Sequence, residues 1–185
     1  MNKSALFLQV RLNSSRMPAK ALMPLHNKKL IEWTIKSMSS VNCDLKVILT
    51  TKDAKKYLKE IAKRHKFEIY CGDKNSVLKR FVDALSRYKV DTIIRATGDN
   101  PLLSSEITKE TITLFENTNA DICHLSNVPY GSGVEVIRGS ALVEAFGSTS
   151  IPYHLEHVTP YIYENCDKFK VVIQDPKDIE ITRKD

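Results

Sequence analysis

The sequence predicts an α/β protein in which a mostly parallel sheet carries helices on both faces. Short segments rich in apolar or β-branched residues alternate along the 185 residues with stretches of helical spacing. This alternation is typical of strand–helix–strand units, whose parallel strands are buried beneath helices. The chain has no internal repeat and no Pro/Gly-rich linker. We therefore expect a single domain over residues 1–185.

Six segments have the composition of buried strands. They are residues 5–10, 45–50, 67–71, 92–96, 120–125 and 134–137. Between them, apolar residues recur three and four positions apart, as on one face of a helix. These helical stretches cover residues 30–38, 58–65, 77–85 and 107–115. Pro152 suits a first helical turn and predicts a further helix over residues 153–164.

Composition narrows the class of protein. Hydrophobic residues make up 42% of the chain and charged residues 27%, which is ordinary for a globular domain. No apolar run reaches the length of a membrane span, and the N-terminus lacks the zones of a signal peptide. The four cysteines include no C-x-x-C pair, which favours reduced thiols in a cytoplasmic protein. The net charge of +6 favours an anionic partner, either nucleic acid or a phosphorylated small molecule.

The loop after the first predicted strand is basic. The stretch "QVRLNSSRMPAKALMPL" contains Arg11, Arg16 and Lys20 with no acidic residue among them. Ligands of parallel sheets bind beyond the carboxyl ends of the strands, where these cations and the neighbouring hydroxyls could hold a polyphosphate. A solvated basic loop is the alternative interpretation. The glycine-rich patterns G-x-x-x-x-G-K-[ST] and G-x-G-x-x-G are absent from the chain, which excludes two known phosphate loops.

Other polar residues follow or begin predicted strands. In "RATGDNPLL", Asp99 directly follows a buried strand and suits Mg²⁺, which prefers one or two carboxylates plus substrate phosphate oxygens. Asp99 could equally organise the turn before the next proline. In "YGSGVEV", Glu135 alternates with two valines and faces either solvent on an edge strand or the ligand cleft. "HLEH" spaces His154 and His157 three apart, but a zinc site would need a third ligand at suitable spacing.

In this order, the motifs resemble the cytidylyltransferase family, which includes the CMP-sugar synthetases, and within it the spore coat polysaccharide biosynthesis protein F group. That group opens with I-Q-A-R-x-x-S-x-R-x-P-x-K, and residues 8–20 read L-Q-V-R-L-N-S-S-R-M-P-A-K. "GDKNSVLKRF" is similar to G-x-x-x-x-V-L-x-R-[FY], and "RATGDNPLL" is similar to R-x-T-G-D-x-P-L. "VEV" and "EHVTPYIYEN" match later landmarks. The resemblance covers about the first 170 residues.

The resemblance implies a Rossmann-like nucleotidyltransferase that joins CTP to a sugar or sugar-like acceptor with Mg²⁺ and releases pyrophosphate. It also implies a role in surface polysaccharide biosynthesis and a homodimer. Transfer of this kind depends on in-line positioning and on neutralising developing charge. By position, the catalytic residues would be Arg11, Arg16, Lys20 and Asp99. The nucleotide would be bound by Gln9, Arg11, Leu12, Ser15, Arg16, Lys20, Ser76, Arg80, Arg95, Thr97 and Gly98. The acceptor would be bound by Glu135, His157 and Tyr161.

The chain also departs from the family pattern. Asn13 and Ala19 stand where the family usually has glycine; asparagine tolerates a left-handed backbone, whereas Ala19 would be strained in one. Gly133 replaces an acidic residue before V-E-V. The family usually continues into a strand that ends in V-D-x-P-E-D, and here "QDPKD" at residues 174–178 is the matching segment. Either the domain at residues 1–185 lacks that C-terminal element, or the element lies on a longer native chain.

The sequence leaves alternatives open for the metal ligands and for the function. Asp99 is the first expected metal ligand, and Glu135 and Asp175 are the candidates for a second carboxylate. One rival function is a family member that binds nucleotide without turnover. Another is a basic nucleic-acid-binding module, which would need aromatic residues interleaved with cations on a surface face. The aromatic residues here lie mainly at helical core spacing, which favours a nucleotide-binding enzyme that binds neither nucleic acid nor a membrane.

Overall fold

A computed structural model describes residues 3–12 and 17–176 of the chain. Its strands are β1 (Ser4–Gln9), β2 (Pro24–Leu25), β3 (Lys28–Lys29), β4 (Leu45–Thr50), β5 (Glu68–Cys71), β6 (Thr92–Thr97), β7 (Ile122–Leu125), β8 (Glu135–Arg138) and β9 (Val171–Gln174). Its α-helices are α1 (Leu30–Met38), α2 (Lys55–Arg64), α3 (Val77–Tyr88), α4 (Ser105–Thr118), α5 (Gly139–Ser148), α6 (Pro152–His157) and α7 (Pro160–Glu164). A single 3-10 turn covers Lys20–Leu22.

Seven of the strands form one sheet with the order β5–β4–β1–β6–β8–β7–β9. The pairs β1–β4, β1–β6, β4–β5 and β7–β9 are parallel, whereas β8 is antiparallel to both β6 and β7. Strands β2 and β3 form a separate small hairpin. This arrangement confirms the predicted α/β class with a mostly parallel sheet.

The core has one apolar layer on each face of the sheet. Along β1, Leu6 and Leu8 pack into one layer and Phe7 packs into the other, because successive side chains of a strand point to opposite faces. Helices α1, α2 and α4 cover the first layer. Helices α3, α5 and α7 cover the second, where the rings of Phe7 and Phe81 meet edge to face at 5.8 Å. Strands β1 and β6 therefore lie in the interior of the domain, covered by helices on both faces of the sheet.

Helix α1 supports the loop at residues 98–103. The hydroxyl of Thr34 donates to the carbonyl oxygen of Asn100 at 2.8 Å. Buried Glu32 anchors the helix, because it accepts from Lys29 N at 3.1 Å and from Arg64 Nη1 at 2.9 Å. Burial alone would raise the pKa of Glu32, but the hydrogen bond from Lys29 and the charge of Arg64 leave that pKa lowered. The carboxylate of Glu32 is therefore stabilised in its charged form.

The predicted helix over residues 153–164 is wrong in one respect, because it is two helices. Helix α6 ends at His157, Val158 has φ 79°, and α7 begins at Pro160. The positive φ of Val158 breaks the helical path, and Pro160 has no N–H with which to continue the hydrogen bonds of α6. The break places Thr159 and the first turn of α7 against β8.

The predicted strands and the predicted state of the cysteines agree with the structure. All six predicted strands are present. The cysteines Cys43, Cys71, Cys123 and Cys166 are free thiols. Within residues 3–12 and 17–176, no helix is both long and apolar enough to cross a membrane.

Candidate active site

The predicted site residues meet at one edge of the sheet. Gln9, the last residue of β1, is in register with Thr97, the last residue of β6. Strand β8 runs in the opposite direction, so its first residue, Glu135, pairs with Arg95 beside the same edge. The N–H of Gly98 donates to the carbonyl oxygen of Gln9 at 2.8 Å. A Cβ on Gly98 would lie 2.6 Å from a methyl of the Val10 side chain, so glycine permits this close approach.

The basic loop contributes Arg11 and Lys20 to this edge. Arg11 Nη2 forms an ion pair with Glu156 Oε1 of α6 at 2.9 Å, and Lys20 Nζ lies 3.5 Å from Asp99 Oδ2. The hydrogen bond from Arg11 lowers the pKa of Glu156. All four side chains are between 40% and 50% exposed, so both pairs remain accessible to a ligand.

Leu12 is the other predicted residue of this loop that the structure describes. The side chain of Leu12 packs into the core, and its carbonyl oxygen accepts from Ala19 N at 2.8 Å. Ala19 itself has φ 55° and ψ 24°, which is the left-handed conformation that the family's usual glycine would adopt without strain. Ser15 and Arg16 lie outside the described residues.

Arg80 of α3 is fully buried and only partly satisfied. Its Nε and Nη2 donate to the carbonyl oxygen of Asp73 at 3.0 and 2.6 Å, while its buried Nη1 has no hydrogen-bond partner among the residues that the structure describes. Burial and the nearby charge of Arg11 lower the pKa of Arg80. Ser76 caps the start of α3 by accepting from Lys79 N at 3.0 Å. An unpaired donor on a buried cation, close to a second cation, is suited to an oxygen of an anionic ligand.

A partly buried ion pair lies between β6 and β8. Arg95 Nη1 donates to Glu135 Oε2 at 2.5 Å, and Arg95 Nη2 lies 3.4 Å from Gln9 Oε1 and 3.2 Å from the carbonyl oxygen of His157. Glu135 Oε1 also accepts from the hydroxyls of Thr159 at 3.1 Å and Tyr163 at 3.0 Å. Glu135 would therefore have to give up one of these donors to bind a metal.

Tyr163 extends this network to β7. Its hydroxyl lies 2.9 Å from Nδ1 of His124. Burial, together with the neighbouring charge of Glu135, raises the pKa of Tyr163. The sequence interpretation missed Thr159 and Tyr163. Their spacing could have indicated them. Residues four apart share one face of a helix, so both side chains face Glu135 if a helix is predicted to begin at Pro160.

The predicted acceptor residues His157 and Tyr161 contact other groups. The ring of His157 packs 4.6 Å from that of Tyr153 at the surface, and only its carbonyl oxygen meets Arg95. Tyr161 packs edge to face against His154 and Phe169. In "EHVTPYIYEN", the tyrosine that contacts Glu135 is the later one, Tyr163.

Asp175 lies directly after β9. Its Oδ1 accepts from Ser126 Oγ at 2.5 Å and from Asn127 Nδ2 at 2.9 Å, and these hydrogen bonds lower the pKa of Asp175. Within residues 3–12 and 17–176, no three His, Cys, Asp or Glu side chains are grouped as metal ligands would be. Asp99 is half exposed, and the ion pair that the described residues give it is the 3.5 Å contact with Lys20. Its carboxylate fits the requirement of Mg²⁺ for one or two carboxylates plus substrate oxygens.

A cleft of about 490 Å³ opens beside the Arg95–Glu135 pair. Its lining includes Thr97, His124, Asn127 and Tyr130. A larger cavity of about 620 Å³ lies at the opposite, amino-terminal edge of the strands. The predicted site residues are absent from its lining, and ligands of such sheets bind at the carboxyl edge. The cleft beside Arg95 is therefore the candidate site.

A mostly parallel sheet with a basic loop after β1 and an accessible carboxylate after β6 is typical of α/β proteins that bind nucleotides at the carboxyl edge of the sheet. The chain belongs to the cytidylyltransferase family, since the family described as "Cytidylyltransferase" matches residues 5–185. An uncharacterized protein of Methanocaldococcus jannaschii is 33% identical over 171 residues, covering 91% of this chain and 70% of that protein. The spore coat polysaccharide biosynthesis protein SpsF of Bacillus subtilis is 28% identical over 178 residues, covering 92% and 74%.

A solved structure of a cytidylyltransferase from Leptospira borgpetersenii has the same fold. It superposes with a TM-score of 0.88 at 27% identity, covering 96% of this chain and 77% of that one. The resemblance found in the motifs is thereby confirmed, together with the fold that it implied.

Proposed function

We propose that this protein transfers the cytidylyl group of CTP to a sugar or sugar-like acceptor, with release of pyrophosphate, in the biosynthesis of a surface polysaccharide. The observation that carries the proposal is the meeting of the basic loop with Asp99, where Lys20 Nζ lies 3.5 Å from the carboxylate. Membership of the cytidylyltransferase family and the similarity to SpsF support the same assignment.

The nucleotide would lie across the carboxyl ends of β4, β1 and β6. Arg11 and Lys20, together with Ser15 and Arg16, would bind the triphosphate oxygens through charge-assisted hydrogen bonds. The unpaired Nη1 of Arg80 supports a ligand oxygen near α3, since a buried donor gains most when it finds a partner. Discrimination for cytosine would then depend on hydrogen bonds, because a wrong base leaves such buried groups unpaired.

Mg²⁺ would be held by Asp99 together with oxygens of the triphosphate. When bound, the ion would neutralise charge on the departing pyrophosphate. Asp175 is the candidate for a second carboxylate, because Glu135 is already bound to Arg95, Thr159 and Tyr163. The chain's own contribution is to fix the triphosphate on the basic loop and to orient the acceptor in the cleft beside Arg95.

The proposal is tested by nucleotide binding followed by turnover. CTP with Mg²⁺ should raise the melting temperature more than ATP, GTP or UTP at matched concentrations, and pyrophosphate should then be released in the presence of a suitable sugar. Equal stabilisation by ATP and CTP would contradict the cytidylyltransferase assignment. CTP-specific stabilisation without pyrophosphate release on any sugar would favour the rival function of nucleotide binding without turnover.

We further propose that the enzyme is a cytoplasmic homodimer. The support is the resemblance to the family, together with the four free thiols. Light scattering at working concentration should give twice the chain mass of 21.0 kDa. A monomer would contradict this part of the proposal.

A further inference from the structure

His124 lies on β7 beside the ion pair of Arg95 and Glu135. Cys123 of β7 pairs with Val136 of β8, so the next pair in this antiparallel register is His124 with Glu135. Directly paired residues project from the same face of a sheet, and Glu135 is paired in turn with Arg95 of β6. The three side chains therefore form a row across β6, β8 and β7, and His124 is part of the cleft lining.

The hydroxyl of Tyr163 determines which ring nitrogen of His124 carries a hydrogen. It donates to Glu135 Oε1 at 3.0 Å, because Glu135 is charged in its ion pair with Arg95 and a carboxylate can only accept. Burial and the charge of Glu135 raise the pKa of Tyr163, so the hydroxyl keeps its hydrogen. His124 Nδ1 lies 2.9 Å from the same hydroxyl oxygen. Since a hydroxyl has one hydrogen to give, Nδ1 must be the donor to Tyr163.

The second ring nitrogen, Nε2, is left as a free acceptor. In a neutral imidazole only one nitrogen carries a hydrogen, so Nε2 of His124 has a lone pair. The hydrogen bond that the described residues give this ring is the one at Nδ1. Over residues 3–12 and 17–176, the buried side-chain atoms without a hydrogen-bond partner are His65 Nε2, Arg80 Nη1 and Arg95 Nε. Nε2 of His124 is therefore not buried, and it can accept a hydrogen bond from a ligand.

The position of β7 indicates which part of the acceptor His124 would contact. Neighbouring strands lie about 4.8 Å apart, so the order β1–β6–β8–β7 puts β7 about 14 Å from β1. The proposed nucleotide site lies across β4, β1 and β6, and the hydroxyl that attacks CTP must lie near that end of the cleft. His124 is therefore too distant to remove the proton of that hydroxyl. It is placed to contact the opposite end of the acceptor.

We propose that His124 is a specificity-determining residue, whose Nε2 accepts a hydrogen bond from a hydroxyl or amide N–H at the end of the acceptor remote from the reacting hydroxyl. Glu135 and Tyr163 act as positioning residues, because they hold the ring in the form that has this free lone pair. An acceptor without a donor group at that end would leave Nε2 unpaired and would lose affinity. Neutral sugars and sugar acids both carry hydroxyl donors, so both satisfy the requirement. This inference rests on the proposed function and deepens it.

The form of the ring is measured without any acceptor. Nitrogen NMR of the full chain labelled with ¹⁵N-histidine, at a pH where the rings are neutral, distinguishes the two neutral forms. We expect His124 to carry its hydrogen on Nδ1. His154 is an internal control of the opposite form, because its Nε2 lies 2.9 Å from Glu164 Oε2 and must donate to that carboxylate. Tyr163→Phe should shift His124 toward the form with hydrogen on Nε2, because Nδ1 then loses its partner.

Binding at Nε2 is measured with three sugar probes. The chain saturated with CTP and Mg²⁺ is titrated with glucose, glucuronate or penta-O-methylglucose, which has the ring of glucose but no hydroxyl group. Glucose and glucuronate should shift the Nε2 resonance of His124, because both can donate to it. Penta-O-methylglucose should leave that resonance unchanged, because it has no donor.

Variants separate this contact from a structural role of the ring. His124→Asn keeps an amide N–H near the position of Nδ1, so it should keep the contact with Tyr163 and still bind CTP. It has no group at the position of Nε2 and should bind glucose about 2- to 10-fold more weakly by saturation-transfer NMR. His124→Gln places an amide oxygen near that position and should restore part of the affinity. His26→Asn is the matched control, since His26 is exposed and outside the cleft lining.

Three results would overturn the inference. They are a His124 ring with its hydrogen on Nε2, an Nε2 resonance that responds equally to all three sugars or to none, and glucose binding that survives His124→Asn unchanged. CTP binding is measured separately by thermal shift. Its absence would contradict the proposed function, whereas CTP binding together with any of the three results would contradict only this inference.

Discussion

Ala19 connects the basic loop to the 3-10 turn at Lys20–Leu22 and has φ 55° and ψ 24°. A residue with a Cβ is strained in this left-handed conformation by about 1–2 kcal/mol. Glycine adopts it without that strain. The hydrogen bonds at this position run from Ala19 N to the Leu12 carbonyl oxygen and from Leu22 N to the Ala19 carbonyl oxygen, both at 2.8 Å. Both use the backbone alone, so Ala19→Gly should keep them and remove the strain.

The expected gain is smaller than the strain, because glycine also has more freedom to lose on folding. That loss amounts to about 0.4–1 kcal/mol. The net increase in the free energy of unfolding should therefore be about 0.5–1 kcal/mol. For a domain of this size, such an increase raises the melting temperature by about 1–4 °C. Scanning calorimetry and urea denaturation of the unliganded protein would both measure it.

Lys89→Gly provides the matched control. Lys89 ends α3 with φ 52° and ψ 58°, and its N–H donates to the carbonyl oxygen of Leu85, so this variant should be stabilised by a similar amount for the same reason. If Ala19→Gly lowers the melting temperature while Lys89→Gly raises it, Ala19 is not strained. The explanation of the family's usual glycine at this position would then be wrong.

Four further substitutions test the site and its support. Glu156→Gln removes the exposed ion pair with Arg11, which is worth about 0.2–1 kcal/mol, and so frees Arg11 for the triphosphate. The affinity for CTP, measured by titration calorimetry, should rise about 1.4- to 5-fold. Weaker binding would mean that Arg11 does not contact the triphosphate. Asp99→Asn should abolish Mg²⁺-dependent pyrophosphate release without changing the unliganded melting temperature, and unfolding with normal residual turnover would instead make Asp99 a turn organiser. Tyr163→Phe should lower the free energy of unfolding by about 1–3 kcal/mol, because it removes the partly buried hydroxyl that donates to charged Glu135 and contacts His124. Unchanged stability in urea would contradict the network. Glu32→Gln should lower the free energy of unfolding at pH 7. The difference in stability between the variant and the wild type should shrink as the pH falls through the lowered pKa of Glu32, because the wild type loses its charged carboxylate there. A difference in melting temperature that does not depend on pH would contradict that account.

The sheet and its functional edge could be predicted because their signals are local. Buried parallel strands are short runs of apolar and β-branched residues, and β1, β4 and β6 have that composition. Polar residues directly after such strands must lie at the carboxyl edge. The placement of Asp99 therefore followed from sequence, and so did that of the basic loop.

The parts that could not be predicted depend on contacts between distant segments. The composition of strand β8 is like that of its neighbours. Its antiparallel direction, however, is set by pairing with both β6 and β7, and this direction brings Glu135 to Arg95. The break at Val158 decides that Tyr163, and not Tyr161, reaches Glu135. The burial of Arg80 could not be predicted either. The sequence around it predicts a helix, but nothing in that pattern indicates that the guanidinium is fully buried.

Glu135 and Asp99 have different surroundings, and these indicate different roles. Glu135 is 18% exposed and accepts hydrogen bonds from Arg95, Thr159 and Tyr163. Removing one partner of a fully buried pair costs about 3–5 kcal/mol, and this partly buried pair should cost less but more than an exposed one. Asp99 is 50% exposed and, among the described residues, has one long contact to Lys20, which is worth at most about 1 kcal/mol. A triphosphate would attract Lys20 and leave the carboxylate of Asp99 to a divalent cation. We therefore expect Asp99 to hold the metal and Glu135 to hold Arg95 in the cleft wall.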